Sequence, residues 1–509
     1  MGPIGSTGKL EPLRAPMIED QRNYFKTGET VNIAFRKEQL RTLKQLIEKE
    51  HEVFEEAVYA DLKRAPKVTY GLEFGSPLCE IDYMLDNIDE WSAPKKVEKT
   101  FLTLLDTPMV VKDPLGVVLI IAPWNYPIFL ILQPLIAAIA AGNTVVIKPA
   151  EFSARTAETF SNTFAKYFDP RYIAVVNGGV EETTELLKER FDYIFYTGCP
   201  AVGKIIMAAA AKFLTPVTLE LGGKCPVVVE SDVDLDITAK RIAWGKWMNC
   251  GQTCLAPDYI LTTNALKMPL VSTLQKTISE FFGTNVQASI DYSRIINQRH
   301  YDRLSSILDK SAATVLIKAG ELDRDDLFIP PIVLDAKKDD AFMQDEIFGP
   351  ILPIVTVNNF EEAVEFIRSG EKPLAAYLFT RDEGKMRRFC VETSSGGVTI
   401  NDVVMHITVD TLPFGGVGQS GMGRYHGKFG FDSFSHEKAV LKRGFFGESF
   451  LMMRYPPLTD KKFAQMTSLM RSRRGIPKFV RSIVPNISII LFGILIGILI
   501  QVFHNYLLF

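Results

Sequence analysis

The sequence has few of the residues that build disulfide scaffolds and zinc centres: six cysteines and six histidines among 509 residues. So few cysteines in so long a chain do not form a disulfide framework. Without an N-terminal signal sequence they are expected to be reduced thiols in the cytosol. No histidine is paired with a cysteine at zinc-ligand spacing, so we predict no metal site. A net charge of −3 gives no general attraction to nucleic acid, and no nucleic-acid partner is expected.

Charged residues are also absent from residues 483–509, and residues 487–503 are almost wholly apolar. A helix rises about 1.5 Å per residue, so this run is long enough to cross ~30 Å of hydrocarbon. The alternative is a buried core helix, although a terminal helix that is apolar on every side is hard to cover in a soluble domain. Basic residues cluster between Arg471 and Arg481 and none follows them. The pattern predicts a C-terminal transmembrane helix, with the upstream chain in the cytosol.

Short apolar runs alternate with helical patterns through the first half of the chain. This alternation predicts a parallel sheet with crossover helices, a doubly wound α/β domain of the kind that commonly binds a dinucleotide. The predicted strands are 116–121, 144–147, 172–176, 193–196 and 217–219, and the predicted helices are 128–141, 154–167, 181–187 and 201–213. Two amphipathic helices are predicted before them, at 35–62 and 67–91, whereas residues 1–20 lack periodicity and are expected to be loose.

A second alternation follows and predicts a second doubly wound α/β domain. Its predicted helices are 267–282, 300–310 and 360–368, and its predicted strands are 314–317, 332–334, 351–356, 375–379 and 397–400. We therefore expect N-terminal helices with a dinucleotide-binding domain at 1–220, a thiol-bearing domain at 221–430, a bridging segment at 431–470 and the membrane anchor at 483–509. Apolar residues at three- and four-residue spacing predict an amphipathic helix near 463–470, either an interfacial or core helix or a cover over a substrate entrance.

The stretch Asn-Cys-Gly-Gln-Thr-Cys-Leu-Ala-Pro at 249–257 places a thiol, Cys254, among small and polar residues. A nucleophilic thiol needs access and oriented donors, whereas an inert thiol is packed among large apolar neighbours. Both interpretations of Cys254 stay open on this stretch alone. Cys250 is interpreted as a packing residue, the alternative being a disulfide with Cys254 across a tight loop.

Two further stretches offer groups for carbonyl chemistry. Asn125 lies between two prolines after a predicted strand, where its amide could donate to an oxyanion or could form a local turn. Glu220 ends another predicted strand and is followed by two glycines. It is a candidate general base if its surroundings raise its pKa.

Polar residues after two other strands could bind a dinucleotide. Lys148 and Glu151 could hydrogen-bond the hydroxyls of an adenosine ribose, or could belong to a solvated loop; a carboxylate there would favour NAD over NADP. The strand-to-helix turn from Gly198 to Gly203 is a weak phosphate-binding signal, because it lacks the full dinucleotide fingerprint. The residues of this turn are Gly198, Cys199, Pro200, Ala201, Val202 and Gly203.

Five motifs occur in one order along the chain. They are Pro-Trp-Asn-Tyr-Pro at 123–127, Lys-Pro-Ala-Glu at 148–151, Glu-Leu-Gly-Gly-Lys at 220–224, Gly-Gln-Thr-Cys-Leu-Ala-Pro-Asp at 251–258 and Glu-Ile-Phe-Gly-Pro at 346–350. With a late match at 413–423, the chain resembles the aldehyde dehydrogenases over about residues 35–457. Residues 186–192 and 241–246, together with the predicted anchor, resemble the fatty aldehyde dehydrogenase branch, whose members are membrane-tethered and oxidise long-chain aldehydes.

The resemblance implies a role for each motif. Cys254 would attack the aldehyde, the Asn125 amide and the Cys254 backbone N–H would hold the oxyanion, and Glu220 would activate the water that hydrolyses the thioester. Lys148 and Glu151 would hold the adenosine ribose and the 198–203 turn the pyrophosphate. Glu346 would bind the nicotinamide ribose, with Phe348 packed nearby. Cys199 departs from the serine that is common in this turn, and Pro200 removes a backbone N–H, so cofactor contacts there are in doubt.

The resemblance also implies NAD as cofactor, with NADP left open, a long-chain aldehyde as substrate, a bilayer as partner and a homodimer. We expect the endoplasmic reticulum membrane, with the peroxisomal and mitochondrial outer membranes as alternatives. Two other functions remain open: a catalytically silent, membrane-tethered scaffold on the same fold, and an enzyme that passes the thioester to coenzyme A. The intact Cys254, Glu220 and Asn125 argue against the scaffold, and Glu220 favours water over coenzyme A.

Overall fold

The computed structural model describes residues 14–100, 103 and 106–471. The chain divides into two compact units, one of residues 1–91 and 113–436 and the other of residues 92–112 and 437–509. The domain boundaries predicted at 220, 430 and 470 stay predictions. None of the helices within the described ranges combines the length and apolar composition that a membrane crossing needs. The anchor predicted at 483–509 lies outside the described residues.

The first unit begins with four helices. They are α1 (Arg14–Lys26), α2 (Ile33–Leu62), α3 (Pro66–Glu73) and α4 (Gly75–Ser92). The prediction that residues 14–20 are loose was wrong, because α1 is held by the buried side chain of Ile18 and by polar tertiary contacts: Gln21 Nε2 donates to Val145 O at 2.9 Å. The single helix predicted over 67–91 is also wrong. It breaks near Phe74, since Pro77 has no N–H to donate to the carbonyl four residues earlier.

A six-stranded sheet follows, with strand order β15-β7-β6-β3-β4-β5. Its strands are β3 (Val117–Ile121), β4 (Thr144–Lys148), β5 (Ile173–Val175), β6 (Tyr193–Thr197), β7 (Val217–Glu220) and β15 (Gly421–Met422). All neighbours are parallel except β15 against β7. The crossover helices are α5 (Phe129–Ala141), α6 (Ala154–Tyr167), α7 (Val180–Leu186) and α8 (Pro200–Ala211). This is the predicted doubly wound arrangement, and every residue of α5 is buried, which explains a sequence that is apolar except for Gln133.

A seven-stranded sheet with order β10-β11-β12-β9-β8-β13-β14 completes the first unit. Its strands are β8 (Pro226–Val229), β9 (Tyr259–Thr262), β10 (Thr314–Lys318), β11 (Ile332–Ala336), β12 (Ile351–Thr356), β13 (Ala375–Phe379) and β14 (Gly397–Ile400). Its helices are α9 (Leu235–Trp247), α10 (Asn264–Phe282), α11 (Gln298–Lys310), α12 (Phe360–Ser369) and α13 (Glu383–Glu392), with α14 (Gly427–Ser433) near the end of the unit. The sheet is parallel apart from β10, so both predicted α/β layers are present.

A three-stranded sheet with order β1-β2-β16 belongs largely to the second unit. Its strands are β1 (Lys95–Lys96), β2 (Thr107–Pro114) and β16 (Ser435–Lys442). Arg443 donates to both carboxylate oxygens of Asp106 at 2.9 and 2.6 Å within this unit. The amphipathic helix predicted near 463–470 is present as α15 (Asp460–Arg471).

Candidate active site

The register of the first sheet brings the ends of four strands to one edge. Ile121 at the end of β3 pairs with Lys148 at the end of β4 and with Tyr196 of β6. Thr197 at the end of β6 pairs with Glu220 at the end of β7. The strand order reverses between β3 and β6, and a crevice at such a switch point is the usual ligand site of a doubly wound sheet.

A cavity of about 1040 Å³ lies in the first unit at this edge. The predicted site residues that line it are Asn125, Gly198, Cys199, Pro200, Glu220, Cys254, Glu346 and Phe348. Four other stretches of chain, between about 30 and 130 residues from Cys254 in sequence, thus share one cleft with the thiol. Lys148, Glu151, Ala201, Val202 and Gly203 are not among the residues that line this cavity in the described part of the chain.

The thiol follows a left-handed turn at the end of α9. Asn249, Cys250 and Gly251 have φ values of 51°, 56° and 71°. Such a conformation costs about 1–2 kcal/mol for each non-glycine residue, so other contacts must hold the turn. Asn249 Nδ2 donates to Asn125 O at 2.9 Å and to Gln252 O at 3.2 Å. At Gly251 a Cβ would collide with the carbonyl of Gly349, which makes glycine necessary there.

The residues around the turn are fixed by further hydrogen bonds. Gln252 Nε2 donates to Asn249 O at 3.1 Å and to Arg294 O at 3.0 Å, and Gln252 Oε1 accepts from Ile296 N at 3.0 Å. The buried Cys250 thiol donates to Ser293 O at 3.2 Å, which supports its interpretation as a packing residue. The backbone entering Cys254 is therefore rigid, as a positioned nucleophile requires.

Cys254 is only partly exposed and has carboxylates as neighbours. Burial raises the pKa of its thiol to about 12, and repulsion from Glu346 and Glu220 raises it further. Hydrogen bonds from the backbone N–H groups of Cys254 and Leu255 act in the opposite direction and lower the pKa. The thiol is therefore protonated at neutral pH in this state. The site must stabilise a negative charge on sulfur or remove its proton before the sulfur can attack a carbonyl.

Asn125 is 3% exposed and its side chain is oriented by the thiol turn. Its Nδ2 donates to Gln252 O at 3.0 Å, two residues before Cys254. A carboxamide nitrogen carries two N–H donors, so a second donor is left for a group in the cleft. This geometry suits an oxyanion donor and does not suit a local turn asparagine.

Glu220 is 2% exposed at the end of β7. Within the described residues neither carboxylate oxygen has a hydrogen-bond partner. Burial raises the pKa of Glu220 well above its ordinary value. A buried carboxyl with a raised pKa beside a cleft is a candidate for general acid–base chemistry.

Glu346 and Phe348 lie on the loop before β12. A Cβ at Gly222 would overlap the Glu346 carboxylate, so this glycine lets the acid pack against the chain after Glu220. Burial, followed by repulsion from Asp258, raises the pKa of Glu346 to about 8. The Phe348 ring meets the Trp124 ring edge-on, with 5.5 Å between centroids.

The residues at the first sheet's edge fit a dinucleotide. Cys199 is the N-cap of α8 but makes no side-chain cap, so the first-turn N–H groups have no capping side chain. A helix N-terminus of this kind is suited to an anionic phosphate. Lys148 Nζ donates to Glu151 Oε2 at 3.1 Å, which keeps these two predicted ribose ligands together. Gly203 lies in a tight place, because a Cβ there would lie 3.0 Å from the Leu221 side chain.

Sequence reasoning assigned no role to two residues of the cleft. Lys224 pairs with Asp258 and donates to Phe342 O at 2.8 Å and Asp345 O at 3.0 Å, which ties the Glu346 loop to the end of β7. Lys224 lies four residues after Glu220 in the sequence, and this short distance could have suggested that it belongs to the cleft. His300 lies 5.2 Å from Trp124 between ring centroids, and burial lowers its pKa to about 4. No sequence pattern singled it out.

A cluster outside the cavity lining joins the buried Glu80 and His426 with the half-buried Asp410, and their ligand atoms lie within 4.8 Å of one another. Glu80 is more than 300 residues from Asp410 and His426 in the sequence, so no spacing pattern predicts a metal site there. The expectation that the protein has no metal site stays a prediction.

Comparisons with known proteins agree with this geometry. The profile of the aldehyde dehydrogenase family matches residues 15–440. Aldehyde dehydrogenase family 3 member A2 of Mus musculus is 48% identical over 465 residues, which are 90% of this chain and 96% of that protein. The Rattus norvegicus protein named "Aldehyde dehydrogenase, dimeric NADP-preferring" is 46% identical over 87% of this chain and 98% of its own length.

Solved structures show the same fold. A substrate-bound AldH of Staphylococcus aureus has a TM-score of 0.86 and 43% identity, covering 90% of this chain and 99% of that one. A Mycobacterium tuberculosis aldehyde dehydrogenase complexed with NAD+ has a TM-score of 0.76 and 25% identity, covering 84% of this chain and 90% of that one.

Proposed function

Because this chain belongs to the aldehyde dehydrogenase family and is an aldehyde dehydrogenase, we propose that it oxidises long-chain fatty aldehydes to fatty acids with NAD. The proposal rests chiefly on one observation: Cys254, Asn125 and Glu220 line one cleft. The similarity to family 3 member A2 over 90% of the chain and the apolar C-terminal run support the fatty-aldehyde assignment.

In the first step the Cys254 sulfur attacks the aldehyde carbon. A C–S bond forms, the carbonyl π electrons move to oxygen, and the thiol proton leaves to solvent. The resulting oxyanion accepts hydrogen bonds from the Asn125 amide and the Cys254 backbone N–H. Each donor of this kind stabilises such a transition state by roughly 3–4 kcal/mol. Since burial raises the pKa of the Cys254 thiol to about 12, this stabilisation is what makes attack at neutral pH feasible.

A bound nicotinamide dinucleotide would supply the acceptor for the hydride that the aldehyde carbon loses. The carbon is then held as a thioester on Cys254. Glu220, once it has released its proton, takes a proton from a water molecule that attacks the thioester carbon. The C–S bond breaks, the sulfur leaves as thiolate and the fatty acid is released. One aldehyde and one water thus yield one acid, two electrons as hydride and one proton.

We assign cofactor binding to the residues at the sheet edge. The N-terminus of α8, with Gly198 through Gly203, would hold the pyrophosphate. Lys148 and Glu151 would hold the adenosine ribose, and Glu346 the nicotinamide ribose, with Phe348 packed beside it. The carboxylate of Glu151 would repel a 2′-phosphate and so favours NAD. The NADP-preferring relative keeps NADP as the alternative.

The remaining assignments follow from composition and relatives. We propose that residues 483–509 anchor the chain in the endoplasmic reticulum membrane, with the catalytic unit on the cytosolic side. The bilayer would then be the source of long-chain aldehydes. A homodimer is supported by the relative whose name describes it as dimeric.

The decisive experiment measures NADH formation by the detergent-solubilised full chain with a long-chain saturated aldehyde and with a short one. Cys254→Ala should abolish activity. Cys250→Ala, which removes a buried thiol four residues away, is the matched control and should retain most of it. Preference for the long aldehyde is expected. Equal activity in Cys254→Ala would refute the nucleophile, and a preference for the short aldehyde would refute the substrate class.

Two further measurements separate the alternatives. Mass spectrometry of the product in the presence of coenzyme A distinguishes free acid from acyl-coenzyme A. Deletion of residues 483–509 should release the protein from membranes into the soluble fraction while preserving NADH formation with a short aldehyde. Retention of the truncated chain in membranes would refute the anchor.

A further inference from the structure

Two buried charges from the N-terminal helices reach the loop that carries Asn125. Arg64 lies just after α2 and Glu73 is the last residue of α3, and they are 1% and 0% exposed. Their side chains form an ion pair with each other. A buried pair of this kind adds little net stability compared with apolar residues of similar size, so its presence calls for another reason.

Arg64 contacts the Asn125 backbone directly. Its Nη1 donates to Asn125 O at 3.0 Å, and that same carbonyl accepts from Asn249 Nδ2 at 2.9 Å. The Arg64 guanidinium also lies 5.0 Å from the centre of the Tyr126 ring. Tyr126 Oη is 2.8 Å from Thr253 Oγ1, beside the thiol residue. One guanidinium therefore braces both the oxyanion-donor loop and its link to the thiol turn.

Glu73 fixes the chain on the other side of Asn125. Its Oε2 accepts from Ile128 N at 2.6 Å and from Phe129 N at 3.0 Å. These N–H groups open α5, and Ile128, at the N-cap, has no side chain able to cap them. The carboxylate of a different helix thus performs the capping, three residues after Asn125.

We propose that Arg64 and Glu73 act as a positioning pair that sets the orientation of the Asn125 amide and thereby the rate of thioester formation. The proposal rests on the oxyanion role assigned to Asn125 above. The side-chain direction of Asn125 depends on its own backbone, which is held at its carbonyl by Arg64 and, through the start of α5, by Glu73. Displacement of this backbone would move the amide away from the oxyanion.

The test uses a double-mutant cycle on the full chain. Arg64→Met removes the donors and keeps an apolar stem, Arg64→Lys keeps one charged donor, and each is made with and without Asn125→Ala. Arg36→Met is the matched control. Arg36 is another buried arginine, with hydrogen bonds to Thr30 O at 2.7 Å, Val31 O at 3.1 Å and Ala140 O at 3.2 Å, and it does not line the cleft.

We expect Arg64→Met to lower kcat roughly 10- to 50-fold, less than the 100- to 1,000-fold typical of deleting an oxyanion donor. Arg64→Lys should recover most of the loss. In the Asn125→Ala background Arg64→Met should change kcat less than about 2-fold, since the amide it positions is gone. Arg64→Met should have a lower kcat with an aldehyde deuterated at C1 than with the undeuterated aldehyde, because thioester formation becomes rate-limiting. NADH affinity, followed by fluorescence, should stay unchanged.

Arg36→Met should lower Tm comparably and leave kcat within about 2-fold of wild type. The positioning role would be overturned if the losses in kcat caused by Arg64→Met and by Asn125→Ala multiplied in the double variant. It would also be overturned if Arg36→Met lowered kcat as much as Arg64→Met does. Either result would leave Arg64 with only a structural role. If Asn125→Ala alone keeps full activity, the proposed oxyanion mechanism itself fails, and this outcome is distinct from the first. If Arg64→Met does not fold, Glu73→Gln is used in the same cycle: it removes the ion pair with Arg64 and keeps an acceptor for the start of α5, so that the helix stays capped.

Discussion

The protonation of Cys254 gives a sharp quantitative prediction about its reactivity. Burial raises the pKa of this thiol to about 12, with repulsion from Glu346 and Glu220 as further causes. Only the thiolate is alkylated, so the rate constant follows its fraction. Between pH 8 and 9.5 a thiol with a pKa of about 12 gains about 30-fold in thiolate, whereas an ordinary thiol with a pKa of about 8.5 gains about 4-fold.

The assay is the alkylation of Cys254 by iodoacetamide, followed by mass spectrometry of its peptide, with N-acetylcysteine as the reference thiol. Circular dichroism at each pH checks that the chain stays folded. The expected rise is close to 30-fold with no plateau. A plateau below pH 9 would refute the raised pKa.

A carboxylate variant tests the cause of the shift. Burial raises the pKa of Glu346 to about 8, so this group is mostly neutral at pH 7 and charged at pH 9.5. Removing its charge lowers the pKa of the thiol, so Glu346→Gln should accelerate alkylation about 3-fold at pH 9.5 and much less at pH 7. Asp345→Asn, at the exposed neighbouring acid, is the matched control and should change neither rate. Equal acceleration at both pH values would contradict this assignment.

Three further predictions concern other residues of the site. Glu220→Gln should leave a burst of about one NADH per site and slow steady turnover roughly 100-fold, because hydrolysis loses its base; stopped-flow fluorescence checks this, and a lost burst would contradict it. Glu151→Gln should lower KM for NADP about 3- to 10-fold by removing repulsion of the 2′-phosphate, and an unchanged KM would remove Glu151 from the ribose site. Asn249→Ala removes two hydrogen bonds and leaves alanine in a left-handed conformation, so it should destabilise the fold by about 2–3 kcal/mol, read as a lower Tm; an unchanged Tm would show that the turn does not depend on this side chain.

The α/β layers were predictable because buried parallel strands and core helices have continuous apolar sequences. The run Val117–Ile121 and the wholly buried α5 are clear examples. Strands β8 and β9, on either side of the thiol turn, were not predicted, although Pro-Val-Val-Val at 226–229 carries the same signal. Helix α1 could not be predicted from periodicity, because a single buried apolar side chain, Ile18, and polar contacts such as Gln21 to Val145 hold it in place.

The candidate site was predictable to the extent that its residues follow strands. Asn125 and Glu220 come directly after or at the end of parallel strands, whose carboxyl ends share an edge by geometry. The nucleophile was different: the sequence around Cys254 also allowed a packed thiol, and only the order of five motifs indicated its role. The functions assigned to these side chains stay proposals.

Local patterns and motif order are properties of the amino-acid sequence, so they were enough to indicate the family, the alternation of strands and helices, and the residue types that can attack, donate and accept in the cleft. Tertiary structure alone decided the raised pKa of Cys254, the fit of Glu346 against Gly222 and the contact of Arg64 with Asn125 across 61 residues. Burial and long-range contacts set these properties, and no local pattern in a single sequence encodes which distant groups will be brought together.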